Sequence, residues 1–113
     1  MTPVNMTQEQ VNAIVQEALI EAQKAAREFH AKHGDRDACG FAWTNIYGVK
    51  GNTRLGKMLK AAGVRQDYTK AFQLWNPSKY PTQSLNILEA GAVAASAVFR
   101  KYGFDAYAGS RMD

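Results

Sequence analysis

Residues 38–47 carry no charge and alternate strictly in side-chain character. Cys39, Phe41, Trp43, Asn45 and Tyr47 fall on one parity, and Ala38, Gly40, Ala42, Thr44 and Ile46 on the other. A period of two with aromatic enrichment specifies a β-strand. The small residues on the second parity call for a helix lying close over that side of the strand. A chain built around this segment must therefore supply helices that can approach a sheet closely.

It supplies them from both sides of the strand. Thr7 and Gln10 form a T-x-x-Q capping box. Val11, Ile14, Val15, Ala18, Ala22, Ala25 and Phe29 then recur at helical spacing, opposite Glu17, Glu21, Gln23, Lys24, Arg27, Glu28 and Lys32. This predicts a long amphipathic helix of about seven turns, stopped at Gly34. Past Pro81, Thr82 is placed to cap a second helix of about five turns that ends at Gly103. Its apolar face is Leu85, Leu88, Ala92, Ala95, Phe99 and Tyr102, with a small-residue strip at Ala90, Gly91 and Ala94. A shorter helix, capped by Thr53 and ended by Gly63, buries Leu55, Met58, Leu59 and Ala62.

Asp35-Arg36-Asp37 reads as a turn. Residues 68–75 read as a second strand, broken by Asn76-Pro77-Ser78 because proline cannot donate to the ladder. Residues 104–109 read as a third. The expectation is an α+β domain in the order α-β-α-β-α-β: a small three-stranded sheet, mixed or antiparallel, with three helices mainly on one face. An exposed sheet face or edge would favour self-association into a homo-oligomer.

With 113 residues the chain reads as one domain, flexible over residues 1–6. A chain of this length buries roughly two thirds of its unfolded surface and needs no covalent staple. That matters because Cys39 is the one cysteine, which excludes an intramolecular disulfide. No apolar run approaches the roughly 18 residues of a membrane span, and the start lacks the pattern of a signal peptide. A cytoplasmic protein with no membrane partner is expected.

The net charge of +4 is concentrated in one place. Residues 50–70 carry Lys50, Arg54, Lys57, Lys60, Arg65 and Lys70 against Asp67 alone. This is a local electrostatic footprint rather than a globally basic protein. Arg54, Lys57 and Lys60 share the polar face of the short helix and, with Lys50, would form a phosphate-facing ridge. Trp43, Tyr47, Tyr68 and Trp75 would supply stacking planes nearby. Basic groups with aromatic platforms suit single-stranded nucleic acid or a nucleotide. The same pattern also describes a solvated helix face above aromatic core residues. Asn76, Ser78, Gln83 and Ser84, around a strand end and a helix start, would orient a polar or anionic ligand or serve as caps and turn formers.

Other motifs argue against familiar chemistries. Gly51 to Lys57 matches G-x-x-x-x-G-K, but Met58 stands where a phosphate-binding loop needs Ser or Thr for magnesium. His30, His33 and Cys39 lie close in sequence without a second ligand pair to complete a zinc site. Cys39 as a nucleophile would need a base and an oxyanion hole that no spacing supplies. Glu89 is the one ionisable group in residues 81–99 and would need a partner if that helix packs centrally. Arg111 is the expected partner, and the pair is also the basis on which a small enzyme would be built. No metal, cofactor or catalytic residue is expected.

Cys39-Gly-Phe-Ala-Trp43, Trp75-Asn-Pro-Ser78, Glu89-Ala-Gly-Ala92 and Gly109-Ser-Arg-Met-Asp113 together resemble a group of small proteins encoded by tailed bacteriophages. The resemblance covers roughly residues 8–113. It transfers no catalytic residues. It implies expression inside a bacterial host cytoplasm and a role in infection.

The leading expectation is a non-enzymatic binder of a phosphate-bearing ligand: a nucleotide, including a host defence signal whose capture would be anti-defence, or a nucleic acid. Arg54, Lys57 and Lys60 would supply charge, Trp43, Trp75 and Tyr47 would stack, and Asn76, Ser84 and Arg111 would orient. The alternatives are a module that self-associates or inhibits a host protein, and the small enzyme using Glu89 and Arg111.

Overall fold

A computed structural model describes residues 5–34, 38–67, 69 and 71–112. The elements run α1 (Gln8–His33), β1 (Gly40–Tyr47), α2 (Arg54–Ala61), β2 (Arg65–Gln66), β3 (Phe72–Trp75), α3 (Leu85–Lys101) and β4 (Asp105–Met112). The strands form one antiparallel sheet in the order β2-β3-β1-β4. The class is α+β with three helices and a long N-terminal helix, as the periodicities predict.

The sheet has four strands rather than three, because β2 and β3 form a hairpin where one strand was expected. β2 is two residues long, too short to show any period. Of the expected strand at residues 68–75, β3 accounts for Phe72–Trp75, while Tyr68 and Lys70 lie outside the described residues, as do Asp35, Arg36, Asp37 and Asp113. β4 runs on to Met112, three residues past the expected end at Gly109, because β1 pairs with it along its whole length.

α1 begins at the capping box: Gln10 N donates to Thr7 Oγ1, and Thr7 N donates to Gln10 Oε1 at 2.9 Å. It ends at Gly34 with φ +70°, a conformation glycine reaches without steric cost. Its 26 residues span about 39 Å, which accounts for the 43 Å long dimension of the molecule. α3 starts two residues later than Thr82. Its N-cap is Ser84, and the Thr82 hydroxyl instead accepts from Ser84 N at 3.1 Å. The start is fixed by tertiary pairing: Gly40 N donates to Gln83 O at 3.0 Å, and Leu85 N donates to Ala38 O at 2.9 Å.

All three helices lie on one side of the sheet. α3 crosses β1 and β4, and α1 packs along α3. Ala42, Thr44 and Ile46 of β1, Phe72 and Leu74 of β3, and Ala106 of β4 point into this layer and are buried. Val11, Ile14 and Val15 of α1, Met58 and Leu59 of α2, and Phe99 of α3 meet them in the core, with Met6 packed against its edge. The small residues do what the sequence demanded. Thr44 Oγ1 donates to the carbonyl of Ala92 on α3 at 3.1 Å, so a β1 side chain reaches the helix backbone directly. A Cβ at Gly91 would stand 2.8 Å from Ser78 Cβ and 3.3 Å from the Ala22 carbonyl, so α1, α3 and the 76–81 turn meet over that glycine.

Candidate functional site

The other side of the sheet has no covering layer among the described residues. Side chains paired across antiparallel strands share a face, and the register lays this one out in rows. Phe41 pairs with Arg111. Trp75, Trp43 and Gly109 form the next row. Arg65, Gln73, Asn45 and Tyr107 form the third. Tyr47 and Asp105 form the last. Phe41 is 40% exposed, Tyr47 and Trp75 each 43%, and Tyr107 53%. A core-facing aromatic would be close to zero, so these rings stand in solvent.

The rings are organised. Trp43 and Trp75 stack with centroids 4.8 Å apart and planes inclined by 28°. Phe41 meets Trp75 edge-on at 6.4 Å. The Arg111 guanidinium lies 5.4 Å above the Phe41 ring, and Arg100, reaching round from the end of α3, lies 5.0 Å from the Tyr107 ring. Between the rings runs an amide network. Trp75 Nε1 donates to Gln73 Oε1 at 2.9 Å, Gln73 Nε2 donates to Asn45 Oδ1 at 3.2 Å, and Trp43 Nε1 donates to the same oxygen at 3.1 Å. The face thus carries aromatic planes, amides and the guanidiniums of Arg65, Arg100 and Arg111, with the carboxylate of Asp105 in its last row.

Of the residues expected from sequence to form the site, the fold gathers Trp43, Tyr47, Trp75 and Arg111 on this face. It does not bring the α2 cations among them. Met58 and Leu59 bury themselves in the core on the helical side, so α2 belongs to that layer, with Arg54, Lys57 and Lys60 exposed along it. Lys50 lies in the preceding loop, where its carbonyl accepts from Thr53 Oγ1 at 2.6 Å. Gly56 is needed there for packing: a Cβ would come within 2.2 Å of the Lys50 carbonyl. Asn76 forms a turn at φ +42° and accepts from Ser78 Oγ at 3.2 Å. Ser84 is a buried cap.

Sequence reasoning did not single out Phe41, Asn45, Arg65, Gln73, Arg100 and Tyr107 as one cluster. Phe41 and Asn45 share the parity of Trp43, which was a usable signal. Gln73, Arg65, Arg100 and Tyr107 join them only through the register and the path of α3.

The remaining motifs are occupied by structure. His30 Nδ1 lies 2.8 Å from the Tyr80 hydroxyl, and His33 packs on Phe29 at 4.5 Å. Cys39 Sγ lies 3.7 Å from Gln83 Oε1. Among the described residues no three potential metal ligands gather. Glu89 does not pair with Arg111 as expected. It accepts from the Ser110 hydroxyl, because residues 110 and 111 point to opposite sides of β4. Glu89 lines a groove of about 370 Å³ between α1 and α3, with the sheet between it and Arg111, so the two do not converge on one substrate. Among the described residues no helix is long and apolar enough to cross a membrane. No protein-family model, no curated protein and no solved structure matches the chain.

Proposed function

We propose that the open sheet face binds single-stranded nucleic acid, and that the protein acts as a non-enzymatic binding module. The observation that carries this reading is the stack of half-buried Trp43 on exposed Trp75, flanked by ring-mounted guanidiniums at Arg111 and Arg100. Unpaired bases offer π-faces to stack on such rings, and each stacked base is worth about 1–3 kcal/mol. Guanidiniums held beside the rings meet the phosphates between those bases. A duplex hides its π-faces and would gain only the charge contacts.

An extended strand suits this surface better than a single nucleotide does. A nucleotide site is normally concave. Three concave sites among the described residues, of about 370, 220 and 230 Å³, are lined by α1, α3, Met6, Tyr102 and the 78–81 turn, and these three include no ring of the open face. A phage origin, as the resemblance to small tailed-phage proteins implies, would put this activity in an infected bacterial cell, where single strands arise during replication and repair.

Anisotropy of a labelled single-stranded oligonucleotide, DNA and RNA in turn, measured across a salt series, tests the reading. Binding that weakens as salt rises and is lost in Trp75→Ala supports it. No salt-sensitive binding of either strand type removes it.

A second reading, self-association, is favoured by the edge of β4. Ala42 O accepts from Asn76 N on the β3 side at 2.9 Å, so Trp43 and its partner Gly109 face each other and Ala108 and Ser110 turn their backbone groups outward. An unpaired edge of this kind can pair with a second copy. Arg100 Nη1 covers part of it by donating to the Ala106 carbonyl at 2.6 Å. A clean monomer by light scattering at high concentration removes this reading.

A further inference from the structure

We infer that the free edge of β4 pairs with β4 of a second copy, antiparallel and centred on Ala108, so that two sheets become one and each open face gains a tyrosine from the other chain. This rests on the self-association reading above and fixes its register. β4 stands at one end of the sheet order and is eight residues long. The opposite edge, β2, has two residues and offers little to pair with. β4 has no proline, no lysine and no bulge in its pairing with β1, the devices that usually blunt an edge. Its outward-turned residues Ala106, Ala108 and Ser110 are small and leave the backbone open to approach.

Two such edges bond only when outward-turned residues meet each other, which also keeps both open faces on the same side. The two-fold axis then passes through one residue opposite its own copy. Centring on Ala108 or on Gly109 gives the longest overlaps of β4. Centred on Gly109, the glycine meets its copy and Arg111 meets a tyrosine. Centred on Ala108, Asp105 lies opposite the partner's Arg111, and Arg111 opposite the partner's Asp105. Opposite charges directly across a strand pair stabilise it, and here the symmetry makes two such pairs. Among the described residues neither Asp105 nor Arg111 has an ion-pair partner in its own chain. They lie roughly 20 Å apart along the strand, so only a second copy brings them together.

The same register sets Tyr107 opposite the partner's Gly109, in the pairing class whose side chains stand closest. The Trp43 indole rests over Gly109. The partner's Tyr107 arrives on the far side of that glycine, with no side chain between it and the indole. The row of Trp75 and Trp43 thus runs on into a ring of the other chain, and a ring beside a strand glycine shields its backbone. The Ala106 carbonyl accepts from Arg100 Nη1 at 2.6 Å and keeps a second lone pair for the backbone N–H of the partner's Ser110.

The test is sedimentation equilibrium at high concentration, without nucleic acid, on the wild type, Asp105→Arg, Arg111→Asp and an equal mixture of the two variants. The wild type should dimerise. Each variant alone sets like charges opposite each other at both ends of the paired strands, and its self-association should weaken roughly tenfold. Mixed, the variants again present opposite charges at both positions and should dimerise with each other as the wild type does. A monomeric wild type overturns the inference together with the self-association reading. A wild-type dimer that survives both reversals, or a loss that mixing does not repair, overturns the register and leaves self-association standing. A readout that needs no variant is backbone amide exchange of the wild type as its concentration rises. Ala106, Ala108 and Ser110 should gain protection, and Met112, beyond the overlap, should not. Protection of Met112 moves the centre to Gly109 and overturns the register.

Discussion

The indole of Trp43 rests over Gly109. A Cβ at that glycine would stand 2.6 Å from Trp43 Nε1 and 2.7 Å from Cε2. The glycine lies on β4 directly opposite Trp43 in the register, so the ring occupies the space its side chain would need. Gly109→Ala should therefore push the indole off its seat and loosen its bond to Asn45. The overpacking should cost about 1–3 kcal/mol, read as a lower urea midpoint, with a several-fold loss of oligonucleotide affinity. Unchanged affinity would show that the placement of Trp43 does not matter to the site.

Affinity should map to the open face and not to α2. Trp75→Ala removes a stacking plane and should weaken binding by about tenfold or more. Arg111→Ala should lower affinity less, but reduce the slope of log affinity against log salt by about one. Lys57→Glu, in the other layer, should leave affinity within about twofold at physiological salt, where charges beyond about 8 Å are screened. A large loss in Lys57→Glu would move the binding track to the basic helix.

The end of α3 is clasped to α1 through Glu17, which accepts from Lys101 Nζ and, at 2.6 Å, from the Tyr102 hydroxyl. These bonds, that from Lys101 first and that from Tyr102 second, hold the Glu17 carboxyl below its usual range. The bond to Glu17 also raises Lys101 and Tyr102. A depressed carboxyl stabilises the fold above its unfolded pKa, and the contribution is lost as pH falls through the folded value. The raised Lys101 and Tyr102 stabilise it below their unfolded values, and that contribution is lost as pH rises through the folded ones. The stability difference between wild type and Glu17→Gln should thus be largest near neutrality and close at both acid and alkaline ends. Urea melts across pH check this, and a difference independent of pH would count against it. The groups are exposed, so the effect is small.

Under β1, Thr44 Oγ1 and Ser96 Oγ lie 3.0 Å apart, and both bond the Ala92 carbonyl, at 3.1 and 2.7 Å. All of this is buried. Thr44→Val and Ser96→Ala should each cost about 1 kcal/mol or more. The double variant should cost less than the sum, because either single change already breaks the Thr44–Ser96 contact. Additive losses in thermal or urea melts would show that the hydroxyls act independently.

Much of this was legible in the sequence. The capping box at Thr7 and the stop at Gly34 bound α1 where they were expected to. The alternation through residues 38–47 assigned each side chain to its side of β1. Periodicity, however, sorts residues onto faces without saying which face is covered. That was decided by where three helices could fit, and they all fit over the small side. α2 follows β1 closely in sequence, which made its cations look like neighbours of the aromatics; its apolar face took it to the opposite layer. Thr82 and Ser84 were both competent caps, and only the pairing of residues 38–40 with 83–85 chose between them. Glu89 and Arg111 were separated by the pleat of β4, which no composition argument reaches.

The chain has two tryptophans, and both stand in the one stacked pair on the open face. Indole transition dipoles 4.8 Å apart couple strongly, so the near-ultraviolet circular dichroism of the whole molecule should carry an exciton signature from this spot alone. Its tryptophan emission likewise comes from nowhere else. The protein is thus its own optical probe: whatever settles on or pries apart those two rings announces itself without a label, and unfolding elsewhere that leaves the sheet intact stays dark.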